Sequence, residues 1–156
     1  MLTLLKWLHV MALAVWLGGI VFFSFFVAPS VFRTLPPAEA GRLVADIFPN
    51  YYRVGYVCGA VLLGTSVALW RSATDSAAGW VASTGLTAVM LSLTLYAGLV
   101  IQPRAHALHE ELNGSSAGAS IQAEFDELHR RAVQTNAAVL LGGVIVTGLV
   151  AAGMRP

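Results

Sequence analysis

His9 is a side chain with chemistry in an unlikely place. It stands in the stretch "KWLHVMALAVWLGG", residues 6–19, where spacings of three and seven put Lys6, His9 and Trp16 near one face of a helix, continued by Leu13 and by Gly19 or Ile20. With a rise of 1.5 Å per residue, His9 lies about 7 to 9 Å below the start of that helix, beyond easy reach of headgroups. A charge at the centre of a span costs about 2.5–3.5 kcal/mol on insertion scales, so this face is expected to look into a bundle. Two roles then stand open for the imidazole. It either bonds, neutral, to a hydroxyl or carbonyl of a neighbouring helix while Lys6 snorkels to the headgroups, or it offers a nitrogen to a haem, a metal or a proton path. Lys6, His9 and Trp16 are the candidate cofactor-binding set.

The other polar candidates cluster at the opposite end. His129 precedes Arg130 and Arg131 and lies seven residues before Asn136, on nearly the same helical face. Because the helix carrying it runs against the first, His129 and His9 are more than about 20 Å apart by helix rise and share no ligand. "RAHALHEE" sets His106 and His109 three residues apart beside Glu110, so that these two with His129 form a candidate surface metal site, against the plainer reading of histidines on a solvated helix. Asn136 must find amide partners across helices. Arg33, Arg53 and Arg104 are expected either to pair with Asp46, Glu110 or Glu124, or to hold an anionic headgroup or a propionate bidentately. With His129 and Asn136 they make up a substrate or structural polar site.

Several function classes drop out. There is no GxSxG, P-loop or strand-to-helix GxGxxG, so hydrolase and nucleotide chemistry have no footing. The spans hold no acidic residue, which argues against a carboxylate-driven pump. Net charge of +1 without a block of like charge gives no sign of nucleic-acid binding. Nothing in the sequence requires an enzyme.

The elements that position these groups are helices in lipid. The chain has 156 residues, 57% of them hydrophobic and only 11% charged, with a mean hydropathy of +0.73, outside the range of soluble domains. Four windows, approximately 4–28, 52–70, 80–101 and 132–152, are each long enough to cross a hydrocarbon core. The first exceeds the apolar run of a secretory signal and reads as a retained helix. The expected fold is all-α: an integral membrane four-helix bundle forming one domain over residues 1–156, with a short amphipathic helix between the first and second spans. The first span should stop or bend at Ala28-Pro29. The amphipathic helix should run from the paired prolines to Phe48-Pro49 with Leu43, Val44 and Ile47 on one face, followed by "NYYR" at the interface.

Gly55 and Gly59 are expected to bring helix backbones close. Ser83, Thr87, Thr94 and Gly98 form one stripe of the third span, and Asn136, Gly143 and Thr147 one of the fourth. Trp70 and Trp80 are expected as interfacial belt residues around a turn containing Thr74, Asp75 and Ser76, and the Gly/Ser-rich part of the long loop, residues 113–120, as mobile. Cys58, a lone cysteine, is expected to pack. Lys6, Arg71 and Arg155 fall on the side of the termini. Arg33, Arg42, Arg53, Arg104, Arg130 and Arg131 fall on the side of the two longer loops, which the positive-inside rule puts in the cytoplasm, here of a bacterial inner membrane.

"LHVMALAVWLGGIVFFSFFVAPSVFRTLP", "IFPNYY", "QPR" and "LHRRAVQTN" resemble the transmembrane protein 205-like family, whose bacterial members carry an uncharacterised domain. The shared positions are His9, Trp16, Phe32, Arg33, Leu35, Pro36, Phe48, Pro49, Tyr51, Pro103, Arg104, His129 and Asn136. The resemblance covers nearly the whole chain and implies a four-helix fold and, through the human member, a link to resistance to platinum drugs. Lys6, His9, Trp16 and Gly19 are also similar to the first helix of HemJ-type protoporphyrinogen oxidases, and His9 with Trp16 to CopD-type copper-uptake domains. That likeness implies haem b or a transition metal at His9, although the third-helix lysine of the HemJ pattern has no counterpart in residues 81–100. Three functions follow as expectations. The first is a binding or transport module for a metal, haem or cationic compound. The second is a b-type haem redox protein, and the third a structural subunit docking a homo-oligomer or other membrane subunits.

Overall fold

Within lipid no water satisfies a free amide, so each crossing must close its own hydrogen-bond ladder. The computed structural model describes residues 2–72, 77–114 and 119–153, and no strand occurs among them. The elements are α1 (Leu2–Phe22), a π-helical turn (Phe23–Val27), α2 (Ala28–Thr34), α3 (Pro37–Ser72), α4 (Ala77–Tyr96), a second π-helical turn (Ala97–Ile101), α5 (Gln102–Gly114) and α6 (Ala119–Gly153). The turns join α1 to α2 and α4 to α5 without a break. Four rods result, Leu2–Thr34, Pro37–Ser72, Ala78–Leu112 and Ala119–Ala152, each long and apolar enough to cross a membrane. The fold is an all-helical membrane bundle. The expectations for Thr74, Asp75 and Ser76, for Arg155 and for most of the 113–120 stretch lie outside the described residues.

Of the two outcomes expected at Ala28-Pro29, a stop or a bend, the first does not occur, since the rod continues into α2. Proline lacks an N–H, and its ring collides with the carbonyl four residues back. The π turn widens the helix just ahead of it, with Ala28 N–H bonded to Phe23 O, five residues back. The same device recurs in the third rod, where Gln102 N–H bonds Ala97 O immediately before Pro103. The first rod finally breaks at Leu35, which is extended (φ −108°, ψ 150°), as the residue before a proline prefers.

The expected amphipathic helix is present but is not separate. It runs through Pro49 into the second span as one 36-residue helix. Pro49 is exposed and removes only one ladder bond, to the carbonyl of Ala45. The buried stripe crosses it in phase, from Ala40 and Val44 to Tyr52, Gly55, Gly59 and Leu62. Packing of that stripe outweighs the missing bond.

α3 lies between α1 and α4, and α6 closes the bundle against α4 and α1. Its centre holds Leu13, Trp16, Ile20, Leu62, Met90 and Val146. Phe22, Phe25, Phe26, Val57, Leu99 and Leu141, each more than 60% exposed, form the lipid-facing surface. Trp70 is exposed, as a belt residue should be. Trp80 is 5% exposed and belongs to the core instead, because it meets His9.

Candidate functional site

The His9 face turns inward, and the imidazole is 0% exposed. Its Nδ1 lies 2.9 Å from Thr65 Oγ1 on α3. The Thr65 hydroxyl donates to the carbonyls of Val61 and Leu62 at 2.8 and 3.0 Å. With that proton committed, the His9–Thr65 bond runs from Nδ1–H to the threonine oxygen, and His9 Nε2 keeps its lone pair. Trp80 stands edge-on to the ring, centroids 5.6 Å apart. The imidazole thus has a hydroxyl partner on a neighbouring helix. Lys6 is half-buried and has no side-chain partner among the described residues.

The packing around His9 does not fit haem. The ring is enclosed on all sides by the core, and a macrocycle needs an open face at the axial nitrogen. Nor does the layer suit a divalent metal, since a fully buried cation without an anionic ligand bears its whole desolvation cost.

Two turns further along α1, Trp16 is 3% exposed and lies across two glycines of α3. A methyl group built on Gly55 would come within 3.3 Å of its Nε1, and one on Gly59 within 3.0 Å of its Cη2. These glycines thus seat an indole, which occupies the space that close backbone approach would have used.

Beyond Trp16 a second polar group spans three rods. Tyr51 OH donates to Asn136 Oδ1 at 2.6 Å, and Asn136 Nδ2 donates to Ser24 Oγ at 3.0 Å. Asn136 therefore bonds across helices as expected. Tyr51 and Ser24 were not anticipated as its partners. Counting residues back along the antiparallel first rod to the level of Asn136 would have found Ser24.

Beside this group a cleft of about 500 Å³ opens among all four rods. Five aromatic residues line it: Trp16 at its inner end, then Phe22, Phe23, Tyr51 and Tyr52. Phe23 and Tyr51 pack at 5.1 Å and Tyr51 and Tyr52 at 5.3 Å. Asn136, Thr135 and Thr94 supply side-chain polar atoms, and Asp46 and Asn50 lie at the loop-side mouth. Among the described residues that line it, Asp46 is the only charged one. Both π turns contribute to the walls, through Phe23 and Val27 and through Ala97. Such turns recur at functional sites.

The remaining candidates sit at the loop end and do not converge. Arg104 pairs with Glu124 at 2.8 Å, both about half exposed. Arg53 reaches only Asn50, at 3.3 Å, and Arg33 has no ion-pair partner among the described residues. His109 and His129 each pack against Phe125, at 5.9 and 6.5 Å, while His106 approaches Glu110 at 3.6 Å. Among the described residues no three His, Cys, Asp or Glu side chains gather as metal ligands. His106, His109, Glu110, Arg42 and Asp46 instead line an open groove of about 740 Å³. Asp46 is common to groove and cleft.

The four apolar rods, enclosed polar groups and aromatic cleft define a small helical integral membrane protein with an internal cleft. Residues 11–113, more than half of the chain, match the family described as "Domain of unknown function (DUF4149)", and the chain belongs to that family. The matched stretch includes Trp16 and the cleft walls from α1, α3 and α4 but neither His9 nor Asn136. An uncharacterized protein of Aquifex aeolicus (strain VF5) is 34% identical over 96 residues, 62% of this chain and 65% of that protein's length. The alignment thus spans less than two thirds of that relative. No solved structure matches the chain.

Proposed function

We propose that this protein binds a lipophilic organic cation in the aromatic cleft. The observation that carries the reading is five aromatic residues lining one space, with Asp46 the one carboxylate among its described lining residues. Ring faces attract a cation by their quadrupole, by about 0.5–2 kcal/mol per well-placed contact. Asp46 adds the complementary charge at the end reached first from the loop side, and the apolar walls take the ligand's hydrocarbon groups. Of the metal, haem and cationic ligands that the sequence allowed, the cation is the one this geometry favours.

The "FRTLP", "FPNYY" and "LHRRAVQTN" segments support kinship with the transmembrane protein 205-like proteins. The loop-side arginines support a cytoplasmic mouth in a bacterial inner membrane. In this reading the protein takes its ligand from the cytoplasmic leaflet and either holds it or passes it on.

The test is equilibrium binding of tetraphenylphosphonium to the detergent-purified protein, with tetraphenylborate as its anionic near-isostere. Saturable, one-to-one binding of the cation alone is expected. Equal uptake of both ions, or uptake without saturation, defeats the proposal.

A further inference from the structure

The layer around His9 carries an independent inference. Four buried polar atoms in this half of the bundle have no protein partner: His9 Nε2, Ser66 Oγ, Ser83 Oγ and Thr87 Oγ1. Their residues are 0%, 0%, 1% and 0% exposed. Buried polar atoms are nearly always paired, with protein or with ordered water, and each exception calls for a cause.

The register brings these residues to adjacent levels of the bundle. Across the α3–α4 hairpin Gly55 faces Thr94 and Gly59 faces Leu91. Continuing that antiparallel count toward the connection sets Ser66 opposite Ser83, with Thr87 one turn away. Ser66 adjoins Thr65, which holds His9, and Ser83 lies one turn from Trp80, whose ring touches His9. On the α6 side, where Gly142 faces Met90, the antiparallel count sets Val146 near the level of Thr87 and Val150 near that of Ser83, 0% and 5% exposed.

We infer that His9, Ser66, Ser83 and Thr87 form a binding site for one small uncharged hydrogen-bond donor, of the size and chemistry of water or ammonia. The Nε2 lone pair accepts from the guest, and the hydroxyls complete its bonds. Enclosure sets the upper limit on size. No carboxylate occurs among the described residues of the layer, so none of them offsets the desolvation of an ion and the guest is uncharged. An internal water needs about three such partners, which the layer supplies. The inference does not depend on the cleft, which is lined by none of these four residues and has Trp16, two turns from His9 along α1, in its wall.

The experiment is solid-state NMR of ¹⁵N-histidine-labelled protein in lipid bilayers, with magnetisation transfer from water protons to His9. The expected result is a protonated Nδ1, a hydrogen-bonded and unprotonated Nε2, and transfer from water. In the Ser66→Ala/Ser83→Ala variant, transfer should fall several-fold while the melting transition is retained. A second arm adds ¹⁵N-ammonium chloride: contact to the labelled nitrogen assigns ammonia as the occupant, and contact to water protons alone assigns water. A protonated Nε2, or a free Nε2 lone pair without transfer from either source, overturns the inference on the wild-type protein alone, whether or not the variant folds.

Discussion

Gly59→Ala tests whether the glycines of α3 exist to seat an indole. A methyl group at this position would stand 3.0 and 3.2 Å from Trp16 Cη2 and Cζ3, and 2.7 Å from Leu91 Cδ1. Carbon atoms pack best at about 3.5–4.0 Å, so the indole must retreat by about half an ångström. Leu91 can turn its methyl away. Trp16, 3% exposed and held between Gly55 and Gly59, has open space only toward the cleft. Overpacking of this kind costs about 1–3 kcal/mol, and the displaced ring also narrows the cleft. Denaturant unfolding in micelles followed by circular dichroism should show the destabilisation, with weaker tetraphenylphosphonium binding beside it. Gly64→Ala is the control, since nothing lies within 4 Å of a methyl group there; it should be neutral or stabilise by up to about 1 kcal/mol. In a Trp16→Leu background most of the Gly59→Ala penalty should vanish, a coupling of about 1–2 kcal/mol. Equal effects of Gly59→Ala and Gly64→Ala, or an unchanged penalty without the indole, would refute the reasoning.

Further outcomes follow from the same contacts. Thr65→Val strips His9 Nδ1 of its only acceptor and should cost about 1–3 kcal/mol in the same unfolding assay, whereas Thr147→Val, on an outward face, should lie within about 0.5 kcal/mol of wild type. Asn136→Leu breaks both bonds of the Tyr51–Asn136–Ser24 group; interhelical bonds in membranes average about 0.6 kcal/mol, so a loss near 1 kcal/mol is expected, and no change would show that the group carries no stability. Asp46→Asn should weaken tetraphenylphosphonium binding about fivefold at low salt, the equivalent of about 1 kcal/mol between close charges at a wet surface, with the difference shrinking as salt rises. Arg104→Gln should cost under about 1 kcal/mol, and that difference should disappear in 1 M salt, as for any exposed ion pair.

The rods were legible because hydropathy and length decide what crosses a bilayer, and the inward turn of His9 followed from the cost of placing it elsewhere. Its partners are Thr65, late in the second span, and Trp80, at the start of the third. The continuity of the rods was not legible. Proline rules give a local cost, and at Pro29 and Pro49 that cost was met by a π turn and by an unbroken buried stripe, neither of which one segment reveals. Trp80 was misplaced because a tryptophan near a span end suits either an interface or a core, and only the facing helix decides. The cleft was invisible for the same reason. Trp16, Tyr51 and Asn136 are far apart in sequence, and the space between them is set by how the four rods pack.

The two π turns also bear on how this chain is aligned with its relatives. Each acts as a single residue inserted into a regular helix and turns everything beyond it by about 100°. Because each is followed at once by a proline, the insertion is fixed in place and cannot migrate along the rod. A gapless alignment across residues 23–27 or 97–101 with a relative lacking the turn would carry inward positions onto outward ones. Arg33 and Arg104, downstream of the turns, would then be matched to residues facing another way. Removing one residue from either turn together with Pro29→Ala or Pro103→Ala should restore a regular helix and send the arginine beyond it to a new side of the molecule.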